Sequence, residues 1–416
     1  MLKNSAKLMG AAAIAALLAS PALAWEDGEE PAISVVEIEQ VQLNNVWSNM
    51  NVEIEHYAPD AVSTSTAVGN AAAGLLMSGD IDLDVYQTLE GNVGAANRLT
   101  GYGAGTAIAT TTAYGNSTTG GTWDGTNFYR AEQDAYGDVS ADTEVLMHGA
   151  NQIATATTAI ANVSVPADEY GTNRAFQRQA SNGSVSATTD VDMCCTGTSG
   201  TFVTTAGGNA VSSTGLTSTN FNGAVQTTAA GETIEASSDV YMYDGHQILA
   251  ASTASGNSVT VHNEWGYATL GRDGSEVSQA NDSNIDSQSY VTLDHWSGYA
   301  SSSAYGVGNS ALISNVGSDT GLYANQENTG QVYSQAQLEG QSMVHGTGIV
   351  NATSIGNAAT ATLCNTCGDA VLQGRTNQVN SGQIIANGTA YTPNSGGVYG
   401  SATAVGNSAT YQSTGH

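Results

Sequence analysis

The 416-residue chain carries 8 Lys+Arg against 37 Asp+Glu, a formal net charge of −29, with 49 Gly, 5 Pro and only 11% charged residues. That balance excludes nucleic-acid binding, which needs basic side chains to displace counterions, and so few prolines cannot support collagen. The low charge density is wrong for a disordered acidic tail, and the scarcity of large apolar residues means that any fold must bury small and polar side chains.

The chain opens with a basic start at Lys3 and Lys7, a short apolar run from Met9 to Ala19, and Pro21-Ala22-Leu23-Ala24. This is the form of a secretory signal over residues 1–24, with an A-x-A-like cleavage site. A short acidic segment, residues 25–38, follows and begins Trp25-Glu26-Asp27-Gly28-Glu29-Glu30. No cysteine stands at the cleavage point, so a lipoprotein anchor is not indicated. Cleavage leaves a charge of −31 and six basic residues, all arginine: Arg98, Arg130, Arg174, Arg178, Arg272 and Arg375. No later stretch approaches the ~18 apolar residues of a membrane-spanning helix, and a repeat running to the end argues against a membrane barrel. The expectation is an exported chain that is soluble or held at a surface by something else.

From residue 39 to 416 the sequence repeats. Phrases of small residues ending in Asn recur eight times, at Asn70, Asn116, Asn162, Asn209, Asn257, Asn309, Asn357 and Asn407, in steps of 46 to 52. A second marker, Gln42, Gln87, Gln133, Gln179, Gln226, Gln279, Gln326 and Gln378, precedes each Asn by 28 to 31 residues. Several of these glutamines open a Q-x-N-x-G phrase, clearest at Gln326-Glu327-Asn328-Thr329-Gly330 and Gln378-Val379-Asn380-Ser381-Gly382. Chance low-complexity similarity would not keep two markers in step.

Within each unit the apolar period is two, as in Val52-Glu53-Ile54, Val240-Tyr241-Met242 and Val291-Thr292-Leu293, which predicts strands. Each unit reads as strand, corner, strand and variable loop, stacked on the next as an elongated all-β solenoid. A narrow interior suits Ala, Ser, Thr, Val and Gly, while Asn and Gln recurring at one position can bond to their copies above and below as amide ladders. At ~4.8 Å per layer, eight layers span roughly 40 Å, or twice that if each unit makes two turns.

Candidate sites are sparse. His56, His148 and His295 lie 14 residues before their Asn, with His246 and His345 close to the same place, as expected of a repeated corner residue. Asp80-Ile81-Asp82-Leu83-Asp84 and Asp282-Ser283-Asn284-Ile285-Asp286 place oxygen ligands on one strand face, either as a solvated surface or as weak calcium sites. Neither forms an EF-hand or a nonapeptide calcium repeat. In an oxidising compartment the four cysteines suggest disulfides. A local Cys364–Cys367 bond is favoured, and Cys194–Cys195 would make a vicinal bridge or a cross-link to another molecule. The two pairs are three units apart, so a shared Cys₄ zinc site is not expected. No hydrolase, zincin or phosphate-loop pattern is present. A polysaccharide lyase or hydrolase would need an acid-lined groove with an arginine, and the place to seek it is Arg272-Asp273-Gly274-Ser275-Glu276, where the step lengthens to 52.

A lysine-free, acidic, exported chain with TAVGN-type and Q-x-N-x-G phrases resembles the holdfast anchor (attachment) protein HfaD family of stalked alphaproteobacteria, from about residue 42 to the end. The Gln and Asn phrases are also similar to those of curlin-like proteins, although a period of about 48 residues is far longer than a curlin unit. The HfaD resemblance implies a non-enzymatic cell-surface protein that attaches an adhesive polysaccharide to the cell pole. It also implies a small companion anchor protein and a curli-pore-like outer-membrane lipoprotein as partners, with no catalytic residues or cofactor. A curli-like fibre subunit built by end-to-end stacking into homo-multimers is the alternative.

Overall fold

The computed structural model describes residues 33–344, 346–365, 370–393 and 396–415. The expected signal segment, His345 and Cys367 lie outside the described residues, as does most of the acidic segment. Among the described residues there is no helix, and every inter-strand pairing between named strands is parallel.

The strands fall into successive levels, each paired to the next at an offset close to the sequence period. The first level comprises Ser34–Gln42, Val46–Ile54 and Ala58–Leu76, and the second Ile81–Leu89, Val93–Gly101 and Ala104–Thr122. Face A stacks the first segment of each level, face B the second and face C the third. In the middle levels the B and C segments run on as single bent strands, such as Val139–Asp168 and Val185–Leu216. Hydrogen bonding therefore links B and C into one twelve-stranded sheet beside the nine-stranded sheet of face A. The first level starts at Ser34, ahead of residue 39, and three strand segments per level replace the two read from the sequence. The bend between B and C is the corner expected near the histidines, where alternation of burial breaks at residues 149–152 and 243–247, and the short turn between A and B, such as residues 90–92, is what the two-strand reading lacks.

The register also shows how many turns each unit makes. Asn70, Asn116, Asn162, Asn209, Asn257, Asn309, Asn357 and Asn407 are consecutive pairing partners. One unit is thus one turn of the solenoid.

Each turn buries alternate side chains, and these form columns. On face B, Val46, Val93, Val139, Val185, Ile234, Ile285, Val332 and Ile384 lie one above another. A second column runs Val52, Leu99, Val145, Val191, Val240, Val291 and Leu338. β-Branched residues suit such positions because they pack well on a pleated surface. Across the interior, face C offers a column of small residues, Ala67, Ala113, Ala159, Ala206 and Ala254. The bulkier Met147, Met193, Met242, Phe202 and Trp296 fill the space at the B–C corner. Buried hydroxyls bridge B and C inside the stack: Thr143 meets Thr111 at 2.6 Å and Thr157 at 2.7 Å, and Thr189 meets Thr157 at 2.7 Å and Thr204 at 2.8 Å.

Two amide ladders join faces A and C. Each ladder Asn donates from Nδ2 to Oδ1 of the Asn one level on, at 2.8 Å. Its other hydrogen reaches a face A carbonyl of that next level, for example Thr227 O from Asn209 at 2.7 Å. Each ladder Gln donates the opposite way, to Oε1 of the Gln one level back, at 2.7–2.8 Å. Its second hydrogen bonds the carbonyl of the residue after the ladder Asn of its own level, as in Gln226 to Ser258 at 3.0 Å. The two rows of amide dipoles therefore run in opposite senses, and every internal amide hydrogen has an acceptor, as burial demands.

The first member of the glutamine column is Gln40, not Gln42. Gln87 donates to Gln40 Oε1, whereas Gln42 pairs in register with the core residue Leu89 and turns its amide onto Asn44 O. The Gly before the ladder Asn is a matter of space. A Cβ on Gly256 would lie 2.5 Å from Gly308 O and 2.3 Å from Asn281 Oδ1.

Candidate functional site

The three outward surfaces differ sharply in charge. On face C no residue from Ala104 to Asn116 is charged, and the same holds for the matching segments above it up to Gly397–Asn407. Face A is paired. Arg130 meets Asp84 at 3.0 Å, Arg178 bonds Glu132, and Arg174 sits between the rings of Phe128 and Phe221 at 5.6 and 6.0 Å from their centroids.

Face B is acidic. Its outward positions carry Asp142 and Glu144, then Asp190 and Asp192, then Glu235 and Asp239, then Asp286. Parallel pairing stacks Glu144, Asp190 and Asp239 directly, and Glu235 on Asp286. Strands ~4.8 Å apart bring these carboxylates within repelling distance, and like charges opposite one another destabilise a sheet. Arg98, which bonds Glu144 at 2.9 Å, is the basic residue of the column. Burial pushes the carboxyls of Asp142, Asp190, Glu235, Asp239 and Asp286 above their ordinary range. For Asp190 the nearby Asp239, Glu144 and Asp192 add to the effect. Tyr290 and Tyr333 extend the same face upward, in register with Asp239 and Asp286.

At the lower end of this face lies a groove of about 460 Å³, lined by Met50, Arg98, Asp142, Glu144, Thr188 and Asp190 among others. It is an open surface depression rather than an enclosed cleft. An acidic trough with tyrosines beyond it can accept cationic groups by charge and sugar rings by contact with aromatic faces.

The sequence-derived candidates take different places. Asp80 caps a turn, its Oδ1 accepting the Thr126 N–H at 2.6 Å, and Asp84 is engaged by Arg130, leaving Asp82 beside them on face A. Asp282 accepts from the Thr329 hydroxyl, Asn284 from the Gln331 N–H and Asp286 from Gln288 Nε2. Asp80, Asp84, Asp282 and Asp286 thus serve separate local partners. The stretch Arg272–Glu276 is a small hairpin that interrupts face A between Ala268–Leu270 and Val277–Asn281, which accounts for the longer step. Arg375 closes over it, 3.0 Å from Asp273 and bonded to Glu276. This is an exposed ion cluster rather than a deep groove.

His148 and His295 lie at the B–C corner, His148 stacked on Tyr102 with centroids 4.6 Å apart and His295 packed on Tyr243. His246 is at the same corner, within 3.3 Å of Ser297, and His56 closes the corner of the first level. Cys194 and Cys195 are free thiols at this corner with Sγ atoms 2.7 Å apart. Their mutual hydrogen bond, then burial, pushes the Cys194 thiol up to about 11. Cys364 ends its face C strand. The alternation of carboxylates on face B was readable from Asp142-Thr143-Glu144 and Asp190-Val191-Asp192, but their vertical stacking needs the register.

Comparison with curated proteins returned no match, and none was found among solved structures. The family model described as "Holdfast attachment protein D" matches residues 55–331, about two-thirds of the chain, which includes the carboxylates from Asp142 to Asp286. The chain is a member of the HfaD, holdfast attachment protein D, family.

Proposed function

We propose that the protein is a structural anchor at the cell surface that attaches an adhesive polysaccharide to the envelope, with face B as the surface that contacts the polymer. The observation that carries this is the column of stacked carboxylates on face B, which the fold keeps together in spite of repulsion. A polymer bearing protonated amino groups relieves that repulsion, and the tyrosines above the groove give its rings a place to stack. A rigid stack of about 40 Å serves as a spacer between envelope and adhesive. Export, the companion anchor and the curli-pore-like lipoprotein belong to the same reading.

Two experiments test it. Deleting the gene is expected to leave adhesive made but shed into the medium, and adhesive absent altogether would indicate a role in synthesis. The purified chain is expected to bind chitosan beads in a salt-sensitive way, and Asp190→Asn with Asp239→Asn to weaken binding at least about tenfold, the loss of two charge contacts. Equal binding by the double variant would remove face B from the account.

A second reading, a fibre built end to end, is favoured by the polarity of the ladders. At the C-terminal level Asn407 is the last donor and Gln378 the last acceptor, while at the first level Asn70 offers the acceptor and Gln40 the donor. A second copy stacked head to tail would continue both ladders. Analytical ultracentrifugation is expected to show chain-length growth with concentration, and a sharp monomer at high concentration would exclude it.

A further inference from the structure

The B–C corner of the third and fourth levels brings together a histidine and two cysteines. Ligand-capable atoms of His148, Cys194 and Cys195 all lie within 4.8 Å of one another, the one place among the described residues where three such His, Cys, Asp or Glu atoms converge. The register explains the convergence. Met147 pairs with Met193, so His148 and Cys194 follow on adjacent levels at the same outward position. The fourth level then carries an extra residue, with pairing resuming between Gly149 and Thr196. In an unbroken strand Cys195 would point opposite to Cys194, and a bulge is the device that brings two neighbours to one side.

We propose that His148, Cys194 and Cys195 bind a thiophilic metal ion of the zinc or cuprous class. Sulfur and imidazole nitrogen are the donors such ions select. Three protein ligands with a fourth position open to solvent are an established zinc arrangement. With metal–ligand lengths of about 2.0–2.3 Å, tetrahedral donors stand about 3.5–3.8 Å apart, within the span seen here. The Sγ atoms, 2.7 Å apart as free thiols, need only a side-chain rotation at exposed Cys194 to reach it. Tyr102, stacked at an interplanar angle of 15°, holds the His148 ring in place. Asp192, two residues before Cys194 on the same outward face, adds negative charge that favours a cation. The neighbouring levels place Tyr102 and Tyr243 at the matching position, so the donor set belongs to this step of the stack alone.

The test uses the full mature chain, reduced and exchanged without oxygen into reductant-free buffer, then titrated with zinc by calorimetry and with cadmium by ultraviolet absorption. One equivalent of zinc per chain and a cadmium–thiolate charge-transfer band are expected. Cys194→Ser and Cys195→Ser are expected to abolish the band, and His148→Ala to weaken zinc binding at least about tenfold, the scale seen for disturbed metal sites. Cys364→Ser is expected to leave both unchanged, and far-ultraviolet circular dichroism reports that the variants fold. No zinc binding by the reduced chain overturns the proposal. So does binding unaltered by either cysteine variant or by His148→Ala, or a Cys194–Cys195 disulfide that survives reduction.

Discussion

Replacing Asn209 by alanine strikes the middle of the stack. Asn209 is fully buried and its amide donates to Asn257 Oδ1 at 2.8 Å and to Thr227 O at 2.7 Å, while accepting from Asn162 Nδ2 at 2.8 Å. Alanine leaves two acceptors and one donor buried without partners. Each orphaned group costs about 1–3 kcal/mol, and allowing for relaxation around the gap the variant is expected to lose about 3–6 kcal/mol. Asn407→Ala removes one accepted bond and one long donated bond, 3.5 Å to Gln378 O, at an exposed position, where water can replace them, for a loss below about 1 kcal/mol. Equilibrium urea unfolding of the mature chain measures both. Because levels touch only their neighbours, the central variant is also expected to split unfolding into two transitions. Equal stability losses in the two variants, within about 1 kcal/mol, would refute the claim that the amide ladder holds the levels together.

Other expectations follow from the same geometry. Gly256→Ala forces a Cβ against Gly308 O and Asn281 Oδ1, and overpacking of this kind is expected to cost at least about 2 kcal/mol by the same urea assay. The buried Asp168 carboxyl is pushed up to about 7, chiefly by desolvation. A raised carboxyl favours the fold below its unfolded value and ceases to do so as pH rises to about 7. Thermal melts are therefore expected to show stability falling from pH 4 to pH 8, with Asp168→Asn flattening the profile, and a rise across that window would contradict the burial argument. Asp190→Asn with Asp239→Asn relieves stacked repulsion and is expected to raise the melting temperature at low salt, with less gain at high salt. No salt dependence would mean that these carboxylates do not interact.

Much of the fold was legible because its repeated unit is one turn. The spacing of Asn209 to Asn257 is the register offset itself, and the Gln-to-Asn interval is the path from face A through face B into face C. Gln42 was misleading because Gln40 and Gln42 both face inward, and only the neighbour's register puts Gln40 on Gln87 and Gln42 beside Leu89. The Asn of the Q-x-N-x-G phrase makes a further row, Asn281 to Asn328 to Asn380, while the pair Asn127 and Asn173 had no repeated marker. The third face was missed because the turn from A to B is only about three residues long, as between Leu89 and Val93, whereas the B–C bend falls at the corner histidines. The acidic column and the His148–Cys194–Cys195 cluster join residues about 46 apart in sequence, so their chemistry appears only when the levels are stacked.

One turn per unit is most directly tested by a distance along the stack. Val41, Thr88, Asp134, Ala180, Thr227, Ala280, Glu327 and Val379 form an outward face A column. Spin labels at Val41→Cys and Val379→Cys, in a chain whose native cysteines are serine, stand seven steps apart. At ~4.8 Å per step, double electron–electron resonance is expected to give a narrow distribution near 34 Å. A peak near twice that value, or a broad distribution, would contradict the structure on which the proposed anchoring and metal sites rest.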